Sequence, residues 1–290
     1  MSSFIIATDS DTEIPYQFAD KHNVPVFLMP YTVNGEEKLF DLGRDTDFAG
    51  FYRQLREGAD AITSTRPPSD IAEFFREIVK DGTELLYLSF SSALSGHYEL
   101  TLAAKKMVLE EYPKARIEIV DTLRISMAAG ILVMEAQRMK EEGKSLDEIK
   151  DWVIKNRNRA HEWFCVDDLN YLKKGGRLSG AAAAIGTILD VKPILTINKE
   201  GKIINTDKIN GTKKVLKHLT EVARENVLDP EEQTAYVMHA DNLGNAEKLK
   251  EMLSGAVNFR DVVIQDIGPV IGCHSGPGTL AVVFMGKEQR

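Results

Sequence analysis

Short apolar runs alternate with longer amphipathic ones along the first half of the chain. Phe4–Ala7, Val24–Leu28, Leu85–Ser89 and Ile117–Val120 are brief, apolar and bounded by polar or glycine-containing turns, which predicts strands. Between them, Phe48–Arg56, Asp70–Val79, Tyr98–Glu111 and Ser126–Glu142 space their apolar residues three and four apart, the period of a helix with one buried face. Ser69 and Asp70 read as caps ahead of Phe74-Phe75, and Ser145 as the cap of a further helix over Leu146–Lys155. Strands separated by helices of this length predict a parallel sheet covered by helices.

The organisation changes near residue 160. A strand over His161–Val166 is followed by Gly175-Gly176-Arg177, an alanine run at Ala181–Ala184, and two strands, Pro193–Ile197 and Lys202–Lys208, that form a hairpin around Lys199-Glu200-Gly201. Helix Thr212–Glu225, strand Ala235–His239, helix Asn245–Leu253 and strand Val262–Asp266 come next, then a glycine-rich loop and a final strand, Leu280–Met285. The pattern predicts an α/β protein of two domains: an N-terminal domain over 1–160 built on a parallel sheet, and a smaller α/β C-terminal domain over 161–290.

Composition narrows the function classes. With 290 residues, 43% hydrophobic and 28% charged, the chain is long enough for two buried cores. A formal net charge of -8 repels a phosphate backbone, so no nucleic-acid partner is expected. The chain opens without a basic segment leading into an apolar core, and no apolar run reaches the roughly 18 residues of a membrane span. A cytoplasmic location and no integral membrane segment are therefore expected. Cys165 and Cys273 stand alone, with no CxxC pair or His/Cys cluster, and read as reduced structural thiols.

Three hydroxyl-rich turns are the candidates for chemistry. Thr63-Ser64-Thr65-Arg66-Pro67-Pro68-Ser69 precedes a helix and reads first as an ordinary helix start. Ser89-Phe90-Ser91-Ser92-Ala93-Leu94-Ser95-Gly96 leaves an apolar strand and enters a helix, so in a parallel sheet it lies at the carboxyl edge, where ligands bind. Its four serines exceed what one cap requires, and with the helix dipole they suit a carboxylate. The third turn, Ile267 to Gly278, carries glycines that permit close backbone approach and a single His274 that could face a ligand. Asp9 with Asp11, and Asp167 with Asp168, read as caps and turn formers, so no metal site is expected. There is no phosphate-binding loop of the Walker type. Ser92-Ala93-Leu94-Ser95-Gly96 lacks the leading glycine of a nucleophile elbow, which leaves a serine acyl hydrolase as the weaker alternative and assigns no catalytic residue.

Several strings taken together resemble the DegV family, whose members include the fatty-acid-binding subunit FakB. They are Thr8-Asp9-Ser10-Asp11, Thr63-Ser64 with Pro68-Ser69, Ser91-Ser92-Ala93-Leu94-Ser95-Gly96, Asp168 to Ser179, and Gly268 to Gly278. The resemblance runs end to end. It implies a two-domain α/β fold with a long acyl chain in a narrow tunnel between the domains. It also implies carboxylate donors at Thr63, Ser64 and Ser95, with His274 nearby and Gly96 letting the backbone approach. No cofactor is implied beyond the bound long-chain fatty acid, and the carrier would present that acid to a separate fatty acid kinase subunit that forms an acyl phosphate. Several positions depart from the family pattern: Cys273 and Ser275 stand where threonines are common, His97 follows Ser95-Gly96, and Asn210-Gly211 stands where a basic residue is frequent. His97 reads as a surface helix residue. A lipid-stabilised regulatory module is the third reading the sequence leaves open.

Overall fold

The central strands of the first sheet are apolar on both faces, and helices cover both. The structure is a computed structural model that describes residues 4–178 and 191–288. β1 (Phe4–Asp9) is followed by a short 3-10 turn at Ser10–Thr12 and α1 (Tyr16–His22). β2 (Val26–Phe27), β3 (Pro30–Val33), β4 (Glu36–Leu39), α2 (Phe48–Arg56) and β5 (Ala61–Thr63) come next. They lead to α3 (Pro68–Val79), β6 (Glu84–Ser89), α4 (His97–Glu111), β7 (Ile117–Asp121), α5 (Ser126–Glu141) and α6 (Leu146–Asn156). Strands β2-β1-β6-β7 form the parallel sheet that the alternation predicts. Leu86, Leu88 and Val120 face Val133, Ala136, Ile149 and Val153 of α5 and α6. Leu85 and Tyr87 face Ile71, Phe75, Ala104 and Val108 of α3 and α4.

The second half adds β8 (Ala160–Cys165), α7 (Asn170–Lys174), β9 (Val191–Ile197) and β10 (Ile203–Asn210). It continues with α8 (Thr212–Asn226), β11 (Thr234–His239), α9 (Leu243–Ala256), β12 (Asp261–Asp266), α10 (Pro269–Ser275) and β13 (Leu280–Met285). Its six strands run β10-β9-β8-β13-β11-β12, antiparallel except for the β11–β12 pair. One face, with Cys165, Val237, Val282 and Phe284, is covered by Val215, Leu219, Leu249 and Leu253 of α8 and α9. The other, with Ala160, Phe164, Leu195, Met238 and Ala281, shares a core with the first half.

Several expectations are corrected. The chain between Pro30 and Thr63 contributes a small antiparallel sheet, β4-β3-β5, that the sequence pattern does not announce. α3 begins at Pro68, so Ser69 and Asp70 lie in its first turn, and no side chain caps it. The glycine-rich loop after β12 contains a helix, α10, begun by Pro269 at its first position, where the missing N–H costs nothing. The alanine run Ala181–Ala184 lies outside the described residues. Ser145 does cap α6, in a capping box with Glu148.

α5 is buried on nearly every side, because it fills the space between the two larger sheets. Gly130 is what lets it approach. A Cβ there would lie 2.5 Å from the carbonyl oxygen of Thr12. Polar side chains join the halves at this level. Arg124, fully buried, donates to the carbonyls of Ile197 at 3.0 Å and Asn198 at 3.2 Å and to Asn158 Oδ1 at 2.6 Å. Tyr52 O–H donates to the carbonyl of Ile267 at 2.7 Å. Glu13 receives Ser126 Oγ and the Gly268 N–H on its two carboxyl oxygens.

Burial pushes the Glu13 carboxyl up to about 8, with the Ser126 and Gly268 hydrogen bonds opposing the shift. The folded state therefore holds a proton that the unfolded chain releases above about 4.5, and this group's stabilisation is lost as the pH rises towards 8. Glu13→Gln keeps the shape and removes the titration. Urea unfolding at about pH 5 and about pH 8 should show the variant gaining stability relative to the wild type as the pH is raised.

Candidate functional site

A cavity of about 450 Å³ lies where the carboxyl edge of the parallel sheet meets the inner face of the six-stranded sheet. Its walls come from both halves of the chain. Apolar groups such as Met29, Phe90, Leu94 and Ile125 face Phe164, Leu172, Ile203, Val270 and Ala281. Its size and largely apolar lining with a few polar groups are those of a small-molecule site.

The polar groups gather from in and around three elements. Thr63 ends β5, Ser64 and Thr65 follow it, Ser95 precedes α4, and His274 sits in the last turn of α10. Thr63 Oγ1 and His274 Nε2 are 2.8 Å apart, a hydrogen bond that joins residues distant in sequence. Burial, helped by the Arg177 charge, pushes the His274 imidazole down to about 4, so it is neutral near pH 7. Its Nδ1 is buried and has no hydrogen-bond partner among the described residues. With Nε2 protonated and donating to Thr63 Oγ1, the Thr63 O–H is left to give to an anion. Ser95 Oγ accepts from the His97 N–H at 3.2 Å and its own proton is available.

Of the five residues expected at the site, Thr63, Ser64, Ser95 and His274 line the one cavity. Gly96 does not line it. It is exposed, and a Cβ built on it meets nothing within 4 Å. Three of the four clustered serines also have other places. Ser89 and Ser91 are fully buried and donate to the carbonyls of Phe90 and Gly201, while Ser92 is exposed, so only Ser95 faces the cavity. His97 is not a surface residue. It is buried against Phe27, with its Nε2 2.9 Å from the Tyr87 hydroxyl and 3.8 Å from Asp9 Oδ2.

Five further polar residues line the cavity: Asp11, Glu162, Arg177, Ser275 and Thr279. Asp11, Arg177 and Ser275 fall within the strings that carried the resemblance. Asp9 is a structural carboxylate that accepts from the Asp11 and Phe90 N–H groups and so ties the ends of β1 and β6 together. Asp11 is different. Burial first, then the neighbouring Asp9 and Glu13 charges, raise its pKa well above the usual carboxylate range, with Arg177 opposing. Asp11 therefore takes up a proton more readily than an ordinary carboxylate, and in that form it is a donor. Arg177 is itself fixed by its Nε bond to the Leu94 carbonyl at 2.9 Å. No hydrogen bond joins Ser95 Oγ to a histidine ring among the described residues. No cluster of His, Cys, Asp and Glu placed to hold a metal occurs there either, and no described helix is long and apolar enough to cross a membrane. Cys165 and Cys273 are buried free thiols, both pushed up to about 12 by burial.

A family model for DegV, described as uncharacterised proteins, matches residues 3–287. The chain belongs to the DegV family. A DegV domain-containing protein of Clostridium perfringens is 41% identical over 289 residues, which covers 100% of this chain and 99% of the relative. A DegV lipid-binding protein from Thermotoga maritima superposes with a TM-score of 0.85 at 26% identity, covering 99% of this chain and 100% of that one. A DegV-family protein from Thermus thermophilus, described by its fatty acid binding, gives 0.85 at 27% identity over 98% and 100%. DegV from Bacillus subtilis, described as a fatty acid binding protein, gives 0.83 at 27% over 99% and 100%. The DegV fold thus accounts for the two larger sheets of this chain.

Gly175, in the Lys173-Lys174-Gly175-Gly176-Arg177 string, explains how His274 is held. Its backbone has no unusual torsion, yet a Cβ there would lie 2.1 Å from His274 Nδ1. The glycine is required for space. Gly175→Ala should displace the imidazole, weaken the Thr63 contact and destabilise the protein by about 1–3 kcal/mol in urea unfolding. A histidine resonance that shifts in NMR spectra while overall folding is retained would confirm where the strain falls.

Proposed function

We propose that this protein is a carrier that buries a long acyl chain in the cavity and holds the carboxylate at its hydroxyl-rich end. The observation that carries this reading is the distribution of polarity: an apolar cavity with Thr63, Ser95 and His274 gathered at the mouth beside exposed Ser64 and Thr65. Burying a sixteen-carbon chain at about 0.8 kcal/mol per methylene supplies roughly 12 kcal/mol before association costs. A carboxylate taken from water without partners costs several kcal/mol, so affinity from the tail requires donors at the head. Neutral donors suit that task, because each loses little by sitting in an apolar wall when no ligand charge is present. The fatty acid binding described for the Thermotoga, Thermus and Bacillus relatives supports the same ligand class.

In this reading the halves 1–160 and 161–290 are the two domains, with the ligand between them, and the chain does no chemistry of its own. It presents the carboxylate to a separate fatty acid kinase subunit in the cytoplasm, which forms the acyl phosphate. The kinase step rests on the family resemblance, and Asn210, exposed at the end of β10, replaces the basic residue expected there.

Native mass spectrometry of the purified protein should reveal a bound long-chain fatty acid, and a lipid-free preparation that fails to take one up would refute the carrier function. Thr63→Ala and Ser95→Ala should each weaken fatty-acid binding by about 1–3 kcal/mol in displacement titrations. Unchanged affinity in both would put the carboxylate elsewhere.

A further inference from the structure

Glu162 lines the cavity at a place the head group does not need. It precedes Phe164 by two residues on β8, so both side chains lie on the strand face turned to the cavity. Phe164 pairs with Ala281 and Glu162 with Val283. The wall therefore runs from Ser275 and Thr279, through Ala281 and Phe164, to Glu162, and the four residue steps from Thr279 to Val283 span roughly 13 Å. On the other side of β8, Trp163 pairs with Thr196, and Ile197 with Ile203, which brings the cavity-lining Ile203 to the level of Glu162. A chain whose carboxylate sat at Thr63 and His274 and whose tail followed this face would pass Glu162 well beyond its head.

At that level the carboxyl group is out of keeping with a hydrocarbon tail. Glu162 is 4% exposed, and its Oε2 has no hydrogen-bond partner among the described residues. Burial and the Glu13 charge raise its pKa well above the usual range, and the nearby Arg124 opposes this only in part. The carboxyl group offers acceptor oxygens, and an O–H donor when protonated, to whatever lies against it. A plain alkyl chain answers neither and leaves a buried polar group unpaired, which is costly.

We propose that Glu162 determines specificity by hydrogen-bonding a hydroxyl group borne by the acyl chain, so that the favoured ligand is a hydroxy fatty acid. This rests on the carrier function proposed above and adds to it a second polar contact along the tail.

The test uses the full chain, freed of lipid, titrated with two matched pairs: oleic against ricinoleic acid, and palmitic against ω-hydroxypalmitic acid. In at least one pair the hydroxylated chain should bind about ten-fold tighter or more, the scale of one buried hydrogen bond. Glu162→Leu should bind the plain chains and lose the preference, whereas Glu162→Gln, which keeps a donor and an acceptor, should retain much of it. Equal or weaker binding of both hydroxylated chains by the wild-type protein overturns the assignment without recourse to a variant. So does a preference that survives Glu162→Leu, or Glu162→Met should the leucine variant not fold. Binding of the plain chains with no hydroxyl preference removes the role of Glu162 alone, while failure of all four ligands to bind removes the carrier function with it.

Discussion

Arg124 follows β7 with its guanidinium wholly enclosed, and it spends its donors on the carbonyls of Ile197 and Asn198 and on Asn158. Burial draws its pKa down to about 10, but it stays charged near neutrality, so those acceptors are needed. The contact fixes the hairpin of the second half against the carboxyl edge of the first. Glu13 and Tyr52 do the same from the other side, through Gly268 and Ile267. Directional bonds of this kind set the distance between two surfaces in a way that apolar packing alone does not. The cavity is the space left over when that distance is fixed, and Ile125, just ahead of α5, forms part of its wall.

Within that space burial biases Asp11, Glu162 and His274 towards their neutral forms. Low dielectric raises Asp11 and Glu162 and lowers His274. A wall of neutral donors and acceptors tolerates an apolar chain and still answers a carboxylate. Arg177 supplies positive charge to the cavity wall, with burial lowering its pKa and the Asp11 charge opposing.

The parallel sheet and most of its helices were legible because period and length agree. Phe48–Arg56 and Leu280–Met285 have the bounds their patterns predict. β4 was not, since Glu36–Leu39 is exposed throughout and carries no alternation. α10 hid among glycines that the pattern treats as loop. At the site, the hydroxyl turns were legible as turns, but which serine faces the cavity depends on tertiary carbonyls such as that of Gly201, which claims Ser91. His97 misled because charge-bearing residues at helix starts are usually exposed, and here Phe27 and Tyr87 enclose it. Glu162 left a faint signal, its place in step with Phe164 on a strand face, that only the cavity makes meaningful.

The two thiols carry a separate consequence. Cys273 lies in α10 beside the Ile62 carbonyl, adjacent in sequence to His274, and Cys165 lies on the far face of the six-stranded sheet among α8 and α9. Thiolate is the reactive form, and both groups are kept almost entirely protonated by burial. Each becomes an alkylation target only when its own surroundings open. The chain thus contains two native reporters of local unfolding, one at the cavity-facing helix and one behind the opposite sheet, whose labelling rates would time the breathing of each region separately.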